Sequence, residues 1–75
     1  MEKKKSLDCV GLFCPMPIIK TKQELEKMCS GEILEISADD PGFEKDIKAW
    51  CEATGEKLIG IEKEGNILKG YVKKK

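Results

Sequence analysis

Gly11-Leu12-Phe13-Cys14-Pro15-Met16-Pro17 joins a short alternating run to a stretch of helical periodicity, and its reading decides the fold. Pro15 disfavours the helical backbone region for the residue before it, so Cys14 is expected outside the helix. Proline is accepted in a first helical turn, where its missing N–H has no partner to lose. The stretch therefore predicts Cys14 at the N-cap and a helix starting at Pro15. That places a sulfur at the positive end of a helix macrodipole, which favours the thiolate. Cysteines in such settings have pKa values lowered to roughly 3.5–7.5. Pro15 and Pro17 supply no N–H, whereas Met16 and Ile18 do and are expected to face an anion beside the cap.

Working outward, Ser6 to Val10 reads as a strand with Leu7 and Cys9 on one face and Asp8 and Val10 on the other. Gly11 ends it. From Pro15 to about Cys29, Ile18, Leu25 and Met28 recur at helical spacing, with Thr21 or Lys22 filling the gap, and Ser30-Gly31 stops the helix. Glu32 to Ala38 alternates, with Leu34, Ile36 and Ala38 on one face. Asp39-Asp40-Pro41 predicts a second helix with Asp40 as N-cap and Pro41 at the first position. Phe43, Ile47 and Trp50 or Cys51 form its apolar stripe, and Gly55 closes it.

Lys57 to Glu64 and Ile67 to Lys73 flank Gly65-Asn66, a two-residue hairpin signal. The implied register sets Glu64 against Ile67, Glu62 against Lys69 and Ile59 against Val72. One face then carries Ile59, Ile61, Leu68 and Val72, and the other Leu58, Glu62, Lys69 and Tyr71. The order is βαβαββ. The first two strands are expected to be parallel through a right-handed crossover, with both helices on one sheet face. The expected fold is an α/β (α+β) two-layer sandwich, and residues 1–75 form one domain with an ordered core from about 6 to 73. Parallel first strands bring Cys14 and Asp39-Asp40 to one sheet edge, where ligands of open α/β sheets bind.

The chain has 75 residues, equal numbers of basic and acidic residues, no histidine and no arginine. With no basic excess, direct nucleic-acid binding is not expected. Without histidine, the usual general base and the usual zinc partner are missing. No apolar run suffices for a membrane span or signal peptide. The expectation is a cytoplasmic protein whose four cysteines are reduced. The lysines at both ends read as solubilising tails.

Leu7-Asp8, Gly11-Leu12, Cys14-Pro15-x-Pro17 and the later Asp39-Asp40-Pro41 resemble the TusA/SirA-like sulfur-carrier family, from Leu7 to about Lys73. The resemblance implies a fold like the C-terminal domain of translation initiation factor three, with a four-stranded mixed sheet. It implies that Cys14 carries sulfur as a covalent persulfide, with no other cofactor and no metal. It also implies a sulfur-donor protein (a cysteine desulfurase or rhodanese-type protein) and a sulfur-acceptor protein. Destinations in the family include tRNA thiolation, molybdenum-cofactor synthesis and sulfur oxidation, and one branch is linked to selenium metabolism.

The residues themselves fit a carrier. A dithiol oxidoreductase has Cys-x-x-Cys, and its second thiol would discharge a persulfide. Here Pro17 stands in that place. Pro15, Pro17, Gly11 and Asp8 form the supporting motif around Cys14. Met16, Lys20, Lys22, Asp39 and Asp40 are candidates for partner contact or support of an anionic sulfur. Against that, Lys20 and Lys22 also read as a solvated face, and capping accounts for Asp40 but not Asp39. Phe13 is a candidate contact or a side chain buried under its own loop. Cys9 reads as core, and Cys29 and Cys51 as surface or packing residues. The alternative from another class is a regulatory module in which Cys14 is a redox- or metal-sensing thiol.

Overall fold

The alternation of Leu34, Ile36 and Ala38 marks the spine of the sheet, because all three are fully buried while their neighbours are not. A computed structural model describes residues 4–13 and 15–75. Its elements are β1 (Lys4–Asp8), α1 (Met16–Glu26), β2 (Ile33–Ala38), α2 (Phe43–Thr54), β3 (Lys57–Glu64) and β4 (Ile67–Lys73). The four strands form one sheet in the order β1-β2-β4-β3. β1 and β2 run parallel, and the other two pairings are antiparallel. The expected mixed sheet and two-layer arrangement are therefore found.

Both helices cover one sheet face. Leu25 and Met28 from the first helical segment join Phe43, Ile47 and Cys51 of α2 over Leu34, Ile36, Ala38, Leu68 and Val72. The gap in the α1 stripe is filled by Thr21, which is fully buried and donates its hydroxyl to the Pro17 carbonyl at 2.7 Å. A buried hydroxyl costs little when so paired. Cys51 takes the last buried position of α2, while Trp50 is only partly covered. The opposite sheet face is polar. There Tyr71 donates to Glu62 at 2.7 Å, Lys69 pairs with Glu64 at 3.1 Å, and Ser6 donates to Glu35 at 3.3 Å. Glu62 lies opposite Lys69 in the backbone register, as expected.

The hairpin register departs from expectation at one point. Leu58, not Ile59, pairs with Val72, and the next pairing is Gly60 with Tyr71. A β-bulge absorbs Ile59, resetting the alternation behind it. Leu58 accordingly packs on the core and Ile59 is 50% exposed. Gly31 also has a different job from helix termination. α1 ends at Glu26, where bonds from Lys27 to Glu24 and from Met28 to Leu25 tighten the last turn. Gly31 sits further on at φ +90°, and its N–H donates to the Lys74 carbonyl at 2.8 Å, which prolongs the β2–β4 pairing.

Candidate functional site

Both helices begin later than the sequence suggests, for the same reason. The N–H of Met16 bonds the carbonyl of Phe13 at 2.9 Å, and that of Phe43 bonds the carbonyl of Asp40 at 3.0 Å. A turn thus precedes each helix and uses up residues expected to cap or start it. The N-caps are Pro15 and Gly42 rather than Cys14 and Asp40. Pro41 lies before the cap of α2. Asp40 instead accepts the Gly42 N–H on its carboxylate at 3.1 Å, closing the turn locally. At α1, the Met16 N–H expected to face an anion is already held by Phe13. Cys14 lies outside the described residues.

The loop before Cys14 is built from named bonds. The Cys9 N–H donates to the Ser37 carbonyl at 2.7 Å, carrying the β1–β2 pairing one residue further. The Leu12 N–H donates to the Cys9 carbonyl at 3.1 Å, folding residues 9–12 into a turn. Asp8 accepts the Val10 N–H at 3.0 Å, and Asp39 accepts the Gly11 N–H at 2.9 Å. Gly11 has φ +87°, a conformation that residues with a Cβ seldom adopt. This last contact joins the end of β1 to the end of β2, so Asp39 and residues 9–13 share one sheet edge, while the expected place of Cys14 on that edge lies outside the described residues. Next to Asp39, the start of α2 and the hairpin tip enclose a cleft of ≈ 400 Å³ lined by Asp39, Pro41, Glu44, Lys63, Asn66 and Leu68.

The rim is apolar. Phe13 is 71% exposed, so it is not buried under its loop. Val10, Met16 and Ile19 are each at least 40% exposed within the same segment. Met16 and Ile19 are neighbours on one helix face. Periodicity does not mark Val10 or Ile19 as site residues, although it sets Val10 on the outward side of the first strand. Pro15 is exposed, whereas Pro17 is fully buried against the core. Lys20 is half-buried and Lys22 exposed.

The other cysteines are separated from this rim in chemistry or in place. Cys9 is fully buried, and burial pushes its thiol up, with Lys20 pulling the other way and Asp8 adding to the rise. Cys51 is buried, and desolvation, helped by Glu56, pushes its thiol up to about 11. Cys29 is exposed beyond the end of α1. Among the described residues, no group of three or more Cys, Asp or Glu is arranged to hold a metal ion. No described helix is long and apolar enough to cross a membrane.

A four-stranded mixed sheet under two helices, with a proline-flanked loop following its first strand, defines a small α+β domain of the SirA-like type. The crystal structure of a SirA-like protein from Desulfitobacterium hafniense superposes with a TM-score of 0.79 at 20% identity, covering 91% of this chain and 93% of that one. The chain belongs to the TusA family: the sequence profile described as "Sulfurtransferase TusA" matches residues 5–74. The "Sulfur carrier protein TusA" of Allochromatium vinosum is 40% identical over 70 residues, covering 93% of this chain and 92% of that protein. The "Putative sulfur carrier protein YrkF" of Bacillus subtilis is 47% identical over 68 residues. That match takes in 91% of this chain but only 37% of YrkF, so the chain spans little more than a third of that relative.

Proposed function

We propose that this protein is a covalent sulfur carrier acting through Cys14. The Cys14 thiolate attacks the outer sulfur of a persulfide on a donor protein. The donor's S–S bond breaks, its cysteine leaves as a thiolate, and the sulfur remains on Cys14 as a new persulfide with no net oxidation. An acceptor thiolate repeats the exchange and takes the sulfur away. The family match across residues 5–74 carries this reading, since it spans position 14 and the prolines around it. The exposed apolar rim supports it, because a sulfur delivered to another protein needs a surface that can be desolvated against that protein. The start of α1 just after Pro15 favours a thiolate near it.

Donors of the cysteine desulfurase or rhodanese type, and acceptors in tRNA thiolation, cofactor synthesis or sulfur metabolism, fall within the proposal. So does a cytoplasmic setting, in which the thiol stays reduced. Pro15, Pro17, Gly11 and Asp8 shape the loop, and Met16, Lys20 and Lys22 are offered as partner contacts. The test is incubation with a cysteine desulfurase and free cysteine, followed by intact and peptide mass. One added sulfur is expected on the peptide containing Cys14. Cys14→Ser abolishes loading, while Cys29→Ser and Cys51→Ser do not. Full loading of Cys14→Ser would falsify the assignment.

A further inference from the structure

The bond from Gly11 to Asp39 has no part in the sulfur exchange itself. We propose that Asp39 is a positioning residue for the site loop, fixing the path of the chain from β1 into α1 by accepting the Gly11 N–H on its carboxylate at 2.9 Å. The proposal rests on the carrier reading for what the loop delivers, and on geometry alone for the brace.

The bonds within the loop are of two kinds. Leu12 to Cys9 and Val10 to Asp8 are local and move with the loop. Cys9 to Ser37 is a continuation of the sheet at the loop's base. The Gly11 contact spans 28 residues of sequence and ties the loop's apex to the end of β2. Gly11 is suited to this bond through its backbone rather than its small size. A Cβ at position 11 would meet nothing within 4 Å, but φ +87° strongly favours glycine there. The two adjacent acids divide their work. Asp40 closes the turn into α2 and leaves Asp39 without a capping task. From Gly11 the chain passes through Leu12 to Phe13, whose carbonyl receives the Met16 N–H at the start of α1. A loop released at Gly11 would therefore change the approach to the helix and the apolar rim together.

The role needs an oxygen acceptor, not a charge, so alanine and asparagine are expected to part company. With a cysteine desulfurase and free cysteine as the source, Asp39→Ala slows loading of the protein about tenfold, while Asp39→Asn stays within about twofold of wild type. Alkylation of Cys14 by iodoacetamide, which needs no docking, changes less than about twofold in both. Hydrogen exchange at the Gly11 amide, read by NMR, speeds up in Asp39→Ala and not in Asp39→Asn. Where Asp39→Ala does not fold, Asp39→Glu moves the carboxylate out by a methylene and is expected to behave as alanine does. An asparagine variant as slow as alanine, or a Gly11 amide in Asp39→Ala that exchanges at the wild-type rate, overturns the proposal. Should the wild-type protein take no sulfur, the carrier reading fails by itself and the Gly11 exchange rates still decide the brace.

Discussion

Phe13→Ala is expected to separate docking from chemistry. A phenylalanine buries roughly 150–250 Å² when fully covered. With 71% of Phe13 exposed, a partner closing over it can remove about 100–180 Å² from water. At about 25 cal/mol per Å² this is ~2.5–4.5 kcal/mol before the costs of association. A residual of about 2 kcal/mol corresponds to a roughly 30-fold lower rate constant for sulfur transfer at sub-saturating partner. Thermal stability should change little, since an exposed ring contributes little to the core. Alkylation of Cys14 by iodoacetamide should also stay close to wild type. Ile59→Ala is the control. Ile59 is 50% exposed at the β3 bulge, on the edge strand farthest from β1, where the register sets it level with the start of β2 and away from the loop. Transfer by Phe13→Ala within twofold of wild type, or an equal fall in Ile59→Ala, refutes the idea that the rim around position 14 is the docking surface.

Gly70→Val should be strongly destabilising, because a Cβ there would already lie 3.3 Å from Cε2 of the buried Phe43 ring. Overpacking of about 1–3 kcal/mol, or a fall in melting temperature of about 5–20 °C, should show in a thermal melt followed by circular dichroism. Burial pushes the Cys51 thiol from its ordinary value of 9.0 up to about 11 in the fold, so the folded state holds that proton more tightly. Its stability contribution is complete below pH 9 and is lost as pH rises through 11, at most about 1.4 kcal/mol per pH unit; urea unfolding at pH 8 to 11 should show this decline, less steep in Cys51→Ala.

Most of the fold is legible because its signals are periodic. Leu34, Ile36 and Ala38 alternate, Phe43, Ile47 and Cys51 repeat at helical spacing, and Gly65-Asn66 marks the hairpin turn. The departures occur where a local turn, one extra residue or a bond to a distant strand interrupts the periodic pattern. Nothing in Phe13-Cys14-Pro15-Met16 or Asp40-Pro41-Gly42-Phe43 announces that a turn will come before the helix, since proline suits both. The bulge at Ile59 did leave a sign, namely Gly60 inside an otherwise good strand, a usual companion of bulges. Ile59 and Ile61 share one face only in a regular strand, and the bulge between Leu58 and Gly60 removes that regularity. Gly70 similarly carries no label in the sequence. Its reason is the Phe43 ring, which reaches it from 27 positions away in the chain.

The site divides along the same line. The residue proposed to carry sulfur, Cys14, is announced by neighbours in sequence, Pro15 and Pro17, and the family profile spans them. The support of its loop is not, because Asp39 and Gly11 meet only when β1 and β2 lie parallel. Asp39 therefore looks unemployed in the sequence: helix capping explains its neighbour and leaves it over. A polar residue left over by local rules is where a long-range contact should be sought, since an acid that serves no nearby amide is available to a distant one. By that reasoning the parallel pairing does two things for the site. It carries the loop to the end of the sheet, and it sets beside Gly11 the Asp39 carboxylate that accepts its N–H just past the end of β2.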